Sequence, residues 1–139
     1  IKNAKKVAMS LSDLFCVERH KQNFLELVKK KLDLTFANES EIMALINTKN
    51  FDDVITFAKE IKKHIVITRG EKGAISIIGD EITEIKANKD LTIKDLTGAG
   101  DLFAAGYLHG FINNLPTKEC LKQATKLSSK VIQQIGARL

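Results

Sequence analysis

Residues 95–101 read Asp95-Leu-Thr-Gly-Ala-Gly-Asp101 and run straight into Leu102-Phe-Ala-Ala-Gly106. Three small residues precede a carboxylate, and an apolar helical stretch follows. The first amides of a helix have no partners within it and carry the positive end of the helix dipole, so a glycine-rich helix start suits a phosphate or another developing anion. Small residues let that backbone approach closely. A carboxylate at the same helix start can take a proton from an incoming hydroxyl. One short segment therefore offers an anion hole beside a base, and phosphoryl transfer needs positioning and charge stabilisation above all. On physics alone the segment also reads as a glycine turn feeding a helix, with Asp101 as a favourable first-turn acid.

Outward from this segment, strand and helix patterns alternate. Lys6–Ser10 and Leu32–Ala37 read as strands, and His64-Ile-Val-Ile-Thr68 as a buried β-branched strand. Helical spacing of apolar residues covers His20–Lys31, a short stretch from Asn38 through Ile46, and Phe51–Lys62. Ala74–Ile78 and Glu81–Ile85 flank Gly79-Asp80, the signal of a two-residue β-hairpin. Beyond Asp101 a helix is predicted to about Asn113. A turn through Pro116 then leads into a last helix reaching about Gln134. This alternation predicts an α/β fold, with a mainly parallel sheet flanked by helices and a β-hairpin. No linker divides residues 1–139, so one domain is expected.

Composition sets the bounds. Apolar residues make up 44% and charged residues 28%, a soluble globular mixture. No apolar run is long enough for a membrane span, and no secretory pattern opens the chain. The net charge is 22 − 17 = +5, but the lysines are dispersed and there is one Tyr and no Trp, so no nucleic-acid partner is expected. Cys16 and Cys120 form no metal or CxxC pattern and read as free thiols of a cytoplasmic protein. His20, His64 and His109 likewise fall in no metal spacing. Gly106 and Gly110 lie four apart on one helix and read as packing positions.

The stretch DLTGAGDLFAAG resembles the second signature of the PfkB (ribokinase-like) family of carbohydrate and nucleoside kinases, D-T-x-G-A-G-D-x-F, with Leu96 at the position of the usual Thr. The resemblance implies that Asp101 is the catalytic base and that the amides of Gly98, Ala99 and Gly100 form the anion hole. Two further segments agree in order. Asn38-Glu-Ser-Glu41 resembles the family's N-x-x-E motif, in which the Glu holds magnesium-bound water; Asn38 and Glu41 also fit a capping box, and the two roles are compatible. Thr68-Arg-Gly-Glu-Lys-Gly-Ala74 resembles the family's T-x-G-x-x-G segment along the nucleotide, implicating Thr68, Arg69, Gly70 and Gly73 in ATP binding; by itself it is a glycine turn between strands. In potassium-dependent members, residues matching Asp95 and Thr97 help bind the monovalent cation, with further ligands near Gly136-Ala137-Arg138. Finally, Ser10-Leu-Ser-Asp-Leu-Phe-Cys-Val-Glu-Arg-His20 resembles a stretch of a bacterial adenosine-kinase-like branch.

The resemblance implies ATP and Mg2+, with K+ in some members. It implies a small-molecule acceptor, adenosine or a sugar, phosphorylated at a primary hydroxyl. Alternatives are a ribokinase- or fructokinase-type sugar kinase and a non-catalytic nucleotide-binding module. The matched part is the C-terminal, ATP-binding half of a family member, without the N-terminal half and lid. Such a chain is expected to expose a sheet edge, and so to be oligomeric, for example a homodimer, or to belong to a larger polypeptide.

Overall fold

Short β-branched runs become the strands, and stretches with helical apolar spacing become the helices that join them. The computed structural model describes residues 3–139. In chain order the elements are β1 (Ala8–Ser10), α1 (Leu14–Arg19), α2 (Lys21–Glu26) with a π-helical turn Leu27–Lys31, β2 (Leu34–Asn38), α3 (Glu39–Ile46), α4 (Phe51–Ile61), β3 (His64–Thr68), β4 (Ala74–Ile78), β5 (Glu81–Ile85), α5 (Ala99–Ile112) and α6 (Thr117–Val131). The strands lie in the order β1-β2-β3-β4-β5. β1 and β2 run parallel, Met9 opposite Thr35. The two-residue connection from β4 to β5 admits only an antiparallel pair. The sheet is thus mixed, and the expected α/β class, flanking helices and hairpin are all present.

The chain divides into two compact units. The first runs up to Ile67 and includes Ser76–Ile82; the second comprises Thr68–Ile75 and Thr83–Leu139.

In the first unit Leu34, Phe36, Ile65 and Ile67 of the strands are buried, as are Ile42, Leu45, Val54 and Ala58 of α3 and α4. Helix ends are closed by side chains: Asn50 caps α4 through the Asp52 amide at 3.1 Å, and Asn47 and Lys62 end α3 and α4 in the left-handed conformation. One polar pair sits within the sheet. His64 Nε2 lies 3.0 Å from Ser76 Oγ, both side chains buried. Burial, assisted by the charge of Lys6, lowers the His64 pKa to about 4.

In the second unit α5 packs on α6, with Phe103, Tyr107, Cys120, Leu121 and Ala124 buried between or beside them. The glycines expected to serve packing do so. A Cβ on Gly106 would stand 2.8 Å from Ala124 Cα, and one on Gly110 would stand 2.9 Å from Cys120 Sγ.

Several boundaries differ from expectation. The strand predicted over Leu32–Ala37 spans Leu34–Asn38. The strand predicted over Lys6–Ser10 forms only over Ala8–Ser10. The helix predicted from His20 continues as a π-helical turn, in which the Leu32 amide donates to the Leu27 carbonyl at 2.9 Å. The last helix ends at Val131, where a turn places the Lys94 amide 2.8 Å from the Ile132 carbonyl.

Candidate active site

Helix α5 begins without a cap. Gly98 precedes it at φ +79 and gives no side-chain hydrogen bond. That conformation favours glycine, and so does the space: an added Cβ would sit 2.7 Å from Ala137 Cβ. The Leu102 amide donates to the Gly98 carbonyl at 2.9 Å and the Ala99 amide to the Leu96 carbonyl at 3.2 Å. Among the described residues the amides of Gly98, Gly100 and Asp101 have no acceptor. Three of the four donors at this turn are therefore available to an external anion, while that of Ala99 closes the turn. Space around Gly100 is open. The Asp101 side chain is exposed and makes no ion pair or hydrogen bond among the described residues.

A cavity of about 970 Å3 adjoins this helix start, and all its lining residues belong to the second unit. Ala99 and Gly100 line it, as do Thr68, Gly70 and Gly73. Five of the residues singled out in the sequence thus share one cavity, with Gly98 and Asp101 flanking two of them in the chain. Arg69 does not line it. Its amide instead closes the Gly70–Lys72 turn by donating to the Gly73 carbonyl at 2.8 Å. Gly70, at φ +57, has open space around it, whereas a Cβ on Gly73 would lie 2.0 Å from the Ile85 carbonyl oxygen. Gly73 is therefore required by the backbone passing over it, and Gly70 is the glycine that exposes backbone to the cavity.

Two walls had no signal in the sequence motifs. The segment 86–91 after the hairpin forms one. Thr125, Ser128, Ser129 and Ile132 form the other, and their i, i+3, i+4, i+7 spacing marks a single helical face. That face was legible as a periodicity, but it carries no residue type specific to a ligand. Exposed Ile93 (59%) and Leu96 (65%) add apolar surface to the cavity. Lys72, Lys86 and Lys89 are nearly balanced there by Glu71 and Asp90, so the unpaired amides, and not a lysine field, are the cavity's distinctive anion-binding feature.

Asp95 staples the segment before α5. Its Oδ1 accepts from the Thr97 amide at 2.9 Å and the Thr97 hydroxyl at 2.7 Å; its Oδ2 accepts from the Gly136 amide at 2.9 Å. Those bonds, led by the Thr97 hydroxyl, hold the Asp95 pKa below the ordinary carboxylate value. Asp95, Thr97 and the C-terminal Gly136 are thereby brought together.

In the first unit Asn38 and Glu41 form a complete capping box at the start of α3. Asn38 Oδ1 accepts from the Glu41 amide at 2.8 Å, while the Glu41 oxygens accept from the Asn38 amide at 2.9 Å and from Asn38 Nδ2 at 2.8 Å. Glu41 is only 5% exposed. Burial raises its pKa, the Asn38 amide bond opposes that rise, and the nearby charge of Asp13 adds to it. No group of three or more His, Cys, Asp or Glu with metal-binding geometry occurs among the described residues. No helix among them is long and apolar enough to cross a membrane.

The profile of the pfkB family carbohydrate kinases matches residues 1–139. The chain belongs to that family. A cytidine kinase of Thermococcus kodakarensis is 29% identical over 119 residues, 84% of this chain and 42% of that protein. The crystal structure of adenosine kinase from Sinorhizobium meliloti superposes with a TM-score of 0.92 at 38% identity, covering 96% of this chain and 41% of the other. Adenosine kinase from Schistosoma mansoni in complex with adenosine and AMP superposes with a TM-score of 0.81 at 26% identity, over 99% and 44%. This PfkB-family chain thus has the ribokinase-like fold and spans about two fifths of the length of these relatives.

Proposed function

We propose that this PfkB-family chain supplies the ATP-binding and catalytic portion of a kinase that phosphorylates a primary hydroxyl of a nucleoside, with adenosine the foremost acceptor. The carrying observation is the uncapped start of α5: an exposed carboxylate on Asp101 directly after the unpaired amides of Gly98 and Gly100, next to a cavity lined by Ala99 and Gly100. The nucleoside acceptor is favoured by the adenosine kinase and cytidine kinase relatives; a sugar acceptor is the second reading, from the breadth of the family.

In this reading the cavity holds ATP. The apolar surface of Ile93, Leu96 and Phe103 takes the base, and backbone around Gly70 takes the ribose and phosphates. Asp101 accepts the acceptor's hydroxyl proton as the oxygen attacks the γ-phosphorus. The Gly98, Gly100 and Asp101 amides stabilise negative charge on the transferring group. Charge neutralisation on the β- and γ-phosphates is the chemistry that Mg2+ supplies when bound. Each Glu41 oxygen retains a lone pair beyond its bond to Asn38, which suits an outer-shell contact to metal-bound water. For a monovalent cation the fit is narrower: Oδ1 of Asp95 is filled by Thr97, leaving one lone pair on Oδ2 and the Thr97 carbonyl.

The test uses the full-length protein with ATP and a panel of adenosine, cytidine, ribose and fructose. Preference for adenosine, lost in Asp101→Asn while the variant still binds ADP, is the expected result. Preference for ribose or fructose would replace the acceptor, and full turnover in Asp101→Asn would remove the base.

A further inference from the structure

The segment from Lys86 to Thr97 contains no helix or strand, yet it builds one wall of the cavity. Something other than regular structure must hold it in place. At its start, the backbone of Ile85–Ala87 presses on Gly73. At its far end, the Lys94 and Asp95 amides donate to the Ile132 carbonyl at 2.8 and 3.3 Å. Between these anchors, among the described residues, a single side-chain hydrogen bond ties the wall to the facing helix: Asn88 Nδ2 donates to Ser129 Oγ at 2.9 Å, across 41 positions of sequence. Both residues line the cavity. Ser129 is 8% exposed and is fixed on α6, whereas Asn88 is exposed.

We infer that Asn88 is a positioning residue for the nucleotide: through Ser129 it clasps the 86–91 wall to α6, setting the cavity width that the nucleotide meets. This inference rests on the reading of the cavity as the ATP site. The asymmetry in exposure gives it a specific signature. In the empty protein, water competes for the exposed Asn88 amide, so the part-buried clasp adds only modestly to folding stability. A nucleotide covering the cavity excludes that water, and the same bond then counts more. Loss of the clasp should therefore weaken ligand binding more than it lowers the stability of the unliganded fold. The exposed apolar side chain of Ile93 sits between the clasp and the anchor at Lys94, so holding the wall also holds Ile93 toward the cavity.

The experiment measures ADP affinity by calorimetry and the unliganded melting temperature for full-length wild type, Asn88→Ala, Ser129→Ala and the double variant. Each single variant is expected to bind ADP roughly 5-fold more weakly, the worth of one hydrogen bond. The double variant should be no weaker than either single one, because both remove the same bond. KM for ATP should rise while KM for the acceptor holds. Variants that bind ADP like the wild type overturn the clasp and leave the nucleotide site standing. Additive losses also overturn it, by making the two residues independent contacts. Affinity that falls only in step with the melting temperature assigns the bond to the fold instead. A wild type that fails to bind ADP overturns the nucleotide site itself, and the clasp with it.

Discussion

α3 and α5 both begin with an acid in the first turn, and they begin in opposite ways. At α3 a side-chain cap is in place: Asn38 and Glu41 satisfy each other reciprocally, and the carboxylate is buried. At α5 a glycine replaces the cap, three amides go unpaired and the carboxylate stands in solvent. The first arrangement closes on itself through two side chains. The second leaves its amides and its carboxylate open. An unsatisfied helix start beside a cavity is therefore the better guide to the chemistry, although both segments match motifs of the family.

The comparison breaks most visibly at Asp101. In the full-length protein Asp101→Asn should lower kcat by roughly 100-fold or more, with little change in denaturation midpoint because the side chain is exposed. A matching loss of stability would make Asp101 a structural acid like Glu41.

Next come the glycines. Gly98→Ala meets a left-handed φ and the Ala137 methyl, so a loss of about 2 kcal/mol or more is expected in urea titration. Gly100→Ala, in open space on a helix, should instead gain about 0.5 kcal/mol, yet raise KM for ATP by crowding the amides. Equal effects at the two positions would show that neither glycine serves a ligand.

In the first unit, the buried His64 offers a pH test of a group closed off from solvent. Its folded pKa of about 4 lies below the ordinary histidine value. The stability it contributes is therefore complete above about pH 6.5 and is lost as pH falls toward 4, because the unfolded chain takes up the proton first. Between pH 6.5 and 5 the loss should be on the order of 2 kcal/mol, and smaller in His64→Gln, as measured by denaturant midpoints. An identical slope in both proteins would place the titrating group elsewhere.

The smallest loss of stability is at the cap. Asn38→Ala should cost about 1 kcal/mol, since it orphans the Glu41 amide and strips one donor from the buried carboxylate. If it also raised KM for ATP in the full-length protein, the box would serve the nucleotide as well as the helix.

Legibility in the sequence followed the range of the interaction. β3, β4 and β5 were readable to the residue, because β-branched runs and Gly79-Asp80 act locally. The capping box at Asn38 and the packing role of Gly106 and Gly110 were readable for the same reason. α1 spans six residues, less than two turns, and so shows no period to find. In the site, the anion-hole segment was marked by glycine spacing, but the engagement of the Ala99 amide by Leu96 depends on a turn geometry that composition does not carry. Gly73 looked like Gly70 in sequence, and only the path of Ile85–Ala87 over it separates their reasons. The cavity walls joined by Asn88 and Ser129 depend on a pairing across 41 positions, beyond any local pattern.

That crossing at Gly73 has a consequence for how such a chain can diversify. The spot where the hairpin exits is dictated by main chain against main chain, and no side chain fits between. Drift in the residues downstream can retune what the wall touches, but it cannot relocate where the wall begins. Changes in ligand preference should accordingly accumulate beyond Ala87, while position 73 stays fixed.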